Sequence, residues 1–134
     1  MPDSSVAQGL RTLLAGEPGE IIAAYLFGST ARGTEGPRSD VDVAVLYRTA
    51  PAPTLEGLPL DLEGRIERTV GRPAQVIVLN TAPVDLVHRV LRDGVLVLDR
   101  DPSARIRFEV RARNEFFDLQ PILARYRHRP PARP

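Results

Sequence analysis

The sequence predicts an α/β or α+β domain in which helices are layered on a sheet, and three observations carry that expectation. Short apolar runs occur at residues 21–27, 41–47, 74–79 and 95–98, each too short for a buried helix and rich in Val, Ile and Leu. Stretches with apolar residues three or four apart alternate with these runs. Gly and Pro stand at most of the junctions, as expected where the chain must turn. With 134 residues there is material for one core, and the expected division is a folded domain over 1–128 and a loose proline-rich tail over 129–134.

Taken in order, Val6, Leu10, Leu13 and Leu14 mark a first amphipathic helix over 6–15, closed by Gly16, Pro18 and Gly19. Ile21 to Phe27 reads as a buried strand that stops at Gly28, and a polar loop from Gly28 to Ser39 leads to a second strand, Val41 to Tyr47. Pro51, Pro53 and Pro59 place an exposed connection at 49–59. Leu62, Ile66 and Val70 then set a helix over 60–70, ended by Gly71-Arg72-Pro73. Residues 74–79 form a third strand, with Asn80 or Thr81 as the expected cap of a helix over 83–92 that ends at Asp93-Gly94. A fourth strand over 95–98 leads to Asp101-Pro102, the start of a long helix to about Arg127, with Ile106, Val110, Phe117, Ile122 and Leu123 as candidate core positions.

Composition removes several classes of function. There is no cysteine, which excludes disulfides, zinc–thiolate sites and a cysteine nucleophile, so any metal is held mainly by oxygen. No run approaches the roughly 20 apolar residues needed to span a bilayer, and Met1 to Ser5 carry no secretory pattern, so a soluble, cytoplasmic protein without membrane contact is expected. The net charge of +1 gives no general affinity for nucleic acid, and direct nucleic-acid binding is not expected. All 18 basic residues are arginine, whose planar fork suits phosphate. Those at 105, 107, 111 and 113 alternate with Glu109 and Glu115 and read as a solvated helix face, with a docking face for an acidic partner as the alternative. His88 reads as a boundary histidine and His128 as a tail residue.

The chemistry is concentrated in Gly28-Ser29-Thr30-Ala31-Arg32-Gly33-Thr34-Glu35-Gly36-Pro37-Arg38-Ser39-Asp40-Val41-Asp42. A glycine closing a buried strand lets backbone approach a ligand, and N–H groups in the turn that follows attract phosphate. Asp40 and Asp42, two apart at the start of a strand, point to one face. Two carboxylates in an otherwise apolar strand are costly to bury without a cation, and magnesium shared with a triphosphate meets that need. Arg32 and Arg38 flank the segment within reach of phosphate.

Gly-Ser, ten intervening residues and Asp-Val-Asp resemble the signature of the polymerase-β-like nucleotidyltransferases. Over residues 5–127, including Asn114 to Pro121, the chain is similar to the minimal nucleotidyltransferases, antitoxins paired with helical HEPN toxins. The resemblance implies a mixed four-stranded sheet with flanking helices and magnesium-dependent transfer of AMP from ATP to a tyrosine of a cognate HEPN RNase. It assigns Asp40 and Asp42 to metal binding and catalysis, and Gly28 and Ser29 to the β- and γ-phosphates; Arg32 joins them as a nucleotide-binding candidate by its position beside the segment, with a solvated loop arginine as the alternative. The family's third carboxylate falls at the start of the third strand, where this chain has Gln75. A neutral amide there leaves three expectations open: one-metal catalysis, slow catalysis, or neutralisation of the toxin by binding alone. Transfer to a small molecule such as an antibiotic is a further alternative, for which 134 residues leave little room.

Overall fold

The computed structural model describes residues 4–16, 21–28, 40–51 and 58–127. Among the described residues, eight elements follow in the expected order: α1 (Ser4–Ala15), β1 (Ile21–Phe27), β2 (Val41–Tyr47), α2 (Leu58–Val70), β3 (Ala74–Val78), α3 (Val84–Asp93), β4 (Val95–Asp99) and α4 (Pro102–Arg127). The four strands form one mixed sheet in the order β3-β2-β1-β4. β1 runs antiparallel to β2 and β4, whereas β2 and β3 are parallel, and α2 supplies the crossover between them.

β1 and β2 are central and covered on both faces, which is why both read as nearly unbroken apolar runs. Val41, Val43, Val45 and Tyr47 pack with Leu10 and Leu14 of α1 and with Leu62 and Ile66 of α2. Ala44 and Leu46 turn the other way, toward Val87 and Val90 of α3 and Ala112 of α4. A register irregularity between Ile21 and Ala23 lets Ile22 and Ala23, adjacent in sequence, both join the α3/α4 side.

Edge strand β3 is bound to the helix that precedes it. Glu63 accepts a hydrogen bond from the Val76 N–H at 2.8 Å and Glu67 one from the Ala74 N–H at 3.0 Å, which satisfies donors that the sheet leaves open. At the other edge, Gly94 closes α3 by donating to the Val90 carbonyl at 2.7 Å. A side chain there would meet that carbonyl at 2.5 Å and Tyr25 Cβ at 3.4 Å, so only glycine lets the turn pass so close to β1. Asp101 caps α4 by accepting from the Ala104 N–H, with Pro102 in the first turn. That bond, and then the Arg48 guanidinium 2.9 Å away, hold the Asp101 carboxyl below its ordinary pKa.

Two expectations are corrected. Neither Asn80 nor Thr81 caps α3: Pro83 occupies the N-cap position without a side-chain bond. The Asn80 amide instead donates to the Tyr47 carbonyl and accepts from the Tyr47 N–H, both at 2.9 Å, and so ties off the end of β2. In α4, Ile106, Val110 and Phe117 are not core residues but are 49%, 50% and 57% exposed. The helix buries Ala112, with Ala104 and Phe108 packed beside it, because small residues let its backbone lie close to the sheet. The side chains of Ile122 and Leu123, the connection over 52–57 and the tail with His128 lie outside the described residues.

Candidate active site

The end of β1, the start of β2 and the start of β3 meet at one end of the sheet. Register places Phe27 beside Asp42 on one side and Gln75 beside Asp42 on the other. Asp42 continues the face of Ala44 and Leu46, and Asp40, two residues earlier, belongs to the same face by strand period. Asp40 is exposed and Asp42 half-buried, so both stand at the open rim of the α3/α4 side.

Gly28 is the residue on which this corner turns. Its φ is +74°, a conformation that L side chains rarely adopt, and a Cβ at this position would overlap Asp42 Oδ2 and lie 3.2 Å from Asp42 Cγ. Glycine therefore does two things here. It turns the backbone at the end of β1, and it lets the Asp42 carboxylate rest against that backbone. Ser29, Arg32 and Arg38 lie outside the described residues.

Gln75 is exposed and pairs in register with Asp42 from the start of β3. Among the described residues, no group of three or more His, Cys, Asp or Glu side chains is gathered for a metal. The donors at the rim are thus two carboxylates and an amide. They are all hard oxygens, and they fit a single magnesium ion that completes its shell with phosphate and water.

A polar chain behind the site had no counterpart in the sequence reading. Tyr25 donates from its hydroxyl to Glu109 Oε2 at 2.5 Å, and Arg105 donates to the same oxygen at 2.9 Å. Arg105 Nε also lies 3.0 Å from Asp99 Oδ2 in an ion pair. Burial first, then the hydrogen bond and charge of Glu109, push the Tyr25 phenol well above its ordinary pKa. Arg105, with a side chain only 17% exposed, therefore does not belong to a solvated basic face, although Arg107 and Arg111 do. A tyrosine in an otherwise apolar strand, and a glutamate on the sheet-facing side of α4, were the available signals. His88 is a boundary residue, stacked on Phe116 at a centroid distance of 3.6 Å. That stacking packs α3 against α4.

A glycine-turned strand end beside an aspartate pair on a mixed sheet is the architecture of a nucleotidyltransferase. The sequence profile of the polymerase β nucleotidyltransferase family matches residues 8–103, and the chain belongs to that family. No curated protein matches the sequence. Among solved structures, a toxin–antitoxin with AMP-PNP superposes with a TM-score of 0.68 at 23% identity, over 88% of this chain and 95% of that one. An MNT antitoxin in complex with a tri-AMPylated HEPN toxin of Shewanella oneidensis gives a TM-score of 0.63 at 20% identity, over 89% and 93%. A MntA toxin–antitoxin variant with two aspartates changed to glutamate gives 0.66 at 20%, over 88% and 95%. At these identities the shared property is the fold.

Proposed function

We propose that this chain is a nucleotidyltransferase antitoxin that moves AMP from ATP to a tyrosine hydroxyl of a cognate HEPN toxin. The observation that carries the reading is the Asp42 carboxylate seated against Gly28 at the sheet end, with Asp40 on the same face, in a fold shared with nucleotide-bound and AMPylated toxin–antitoxin complexes.

Asp40 and Asp42 would hold magnesium, which supplies charge neutralisation for the triphosphate. The left-handed turn at Gly28 exposes backbone to the β- and γ-phosphates, with Ser29 and Arg32 following in sequence to donate to them. The sheet end thereby fixes the α-phosphorus for in-line approach of the tyrosine oxygen. A new O–P bond forms, the bond from the α-phosphorus to the bridging oxygen breaks, pyrophosphate leaves and the phenolic proton passes to solvent. Positioning and charge placement carry most of the rate in such transfers. Gln75 can orient that oxygen or a water through its amide, but it is no base at neutral pH.

Incubation of the chain with a HEPN toxin, labelled ATP and magnesium is expected to label the toxin. Absence of label on an intact toxin would overturn the reading. The Gln75 amide favours one rival, neutralisation of the toxin by binding alone. Asp40→Asn with Asp42→Asn separates the two: loss of labelling and of toxin silencing marks the enzyme, whereas silencing that persists in the double variant marks the binder.

A further inference from the structure

α4 carries two apolar faces, and among the described residues only one of them is covered. Ala104, Phe108 and Ala112 face the sheet. On the opposite side Ile106, Val110 and Phe117, at i, i+4 and i+11, fall on a single stripe because eleven residues complete about three helical turns. About half of each of these side chains is open. Beside the stripe runs a shallow, open groove of about 510 Å³ that is bordered by Arg107 and Arg111 toward the N-terminal end and by Asp118 toward the C-terminal end.

We infer that a second copy of this chain packs antiparallel on the outward stripe of α4. Two independent features of the helix select the same register. An apolar side chain in an antiparallel pair fits best between two apolar side chains of the facing helix. Phe117 of one copy satisfies this when it stands level with the midpoint of Ile106 and Val110 in the other. That alignment also sets Arg107 of each copy opposite Asp118 of its counterpart, so one rim of a two-fold pair carries two symmetry-related contacts of opposite charge, one at each end. Arg113, on the other border of the stripe, has Glu109 Oε1 on its own helix 3.6 Å away, which compensates its charge near the two-fold axis. The aspartate pair at the sheet end does not enter this argument, which therefore stands apart from the catalytic reading.

Sedimentation equilibrium of the full chain over a concentration series tests the inference. The chain is expected to dimerise reversibly, and Val110→Asp to weaken the dimer by at least about tenfold. Arg107→Asp and Asp118→Arg should each weaken it by about fivefold to tenfold, while the double variant, which re-creates the pair with its charges exchanged, should recover most of the loss. Circular dichroism verifies folding, and the charge-swap arm decides the matter should Val110→Asp fail to fold. A chain that stays monomeric at every concentration overturns the inference, as does a dimer indifferent to Val110→Asp, or a double variant no tighter than its parents. A monomer that takes up a HEPN toxin through this stripe overturns it too, by giving the face another occupant.

Discussion

At the scale of single residues, Gly28 and Gly71 provide a matched comparison, because φ is +74° at one and +72° at the other. A Cβ on Gly71 meets nothing within 4 Å, whereas on Gly28 it collides with Asp42. Gly71→Ala is therefore expected to cost only the backbone strain, about 1 kcal/mol, with nucleotide affinity unchanged. Gly28→Ala should cost more than that and also displace the Asp42 carboxylate. Thermal unfolding and ATP titration of both variants read the difference. Equal loss of stability with intact ATP affinity in the two would refute the close-approach argument. Gln75 invites the opposite experiment. Gln75→Asp places a third carboxylate one strand from Asp42, and it should raise the rate of AMP transfer and strengthen magnesium binding. An unchanged rate would show that the missing carboxylate does not limit this site.

At the scale of elements, the rotation of α4 about its axis is fixed by polar contacts as well as by packing. Tyr25→Phe deletes the bond to Glu109 and is expected to cost about 1 to 2 kcal/mol, since a carboxylate oxygen loses a buried donor. The same bond has a pH signature. The folded state favours the neutral phenol, so its contribution is complete below the unfolded value of about 10 and fades as the pH rises above it. Melting temperatures of the parent should fall more steeply above about pH 10 than those of Tyr25→Phe, and identical profiles would remove Tyr25 from the account. This contact also explains which parts of the fold were legible. The bounds of β1 and β2 could be read from the sequence because continuous apolar runs between polar loops have few other solutions. The seating of α4 could not, because Ala104 and Ala112 carry less hydrophobic weight than Ile106 and Val110, and preference for the small residues arises only once a sheet lies against the helix. Asn80 was legible as a polar residue before a helix, but its actual duty, the two bonds to Tyr47, depends on a strand 33 positions away.

For the molecule as a whole, the sheet separates its covered faces from the rim that carries the proposed site. α1 and α2 seal one face, α3 and α4 the other, and the aspartates stand where the second cover gives way to the rim. The spacing from Gly28 to Asp42 announced that corner because both halves of it lie in one short segment; the place of Gln75 beside it became a fact only through the parallel pairing of β2 and β3. A site open at the rim and supported by a covered sheet should bind nucleotide without rearranging the core, so ligand binding must appear as added global stability. At a hundredfold excess over its dissociation constant, magnesium–ATP would add about 2.7 kcal/mol, which for a chain of this length raises the melting temperature by roughly 8 to 12 °C. Asp42→Asn should abolish that rise while leaving the melting temperature of the unliganded protein close to that of the parent. Calorimetry without any toxin present tests this, so the answer concerns the pocket and not the acceptor. A parent that gains no stability from magnesium–ATP would remove the nucleotide from this sheet end, whatever the fold resembles.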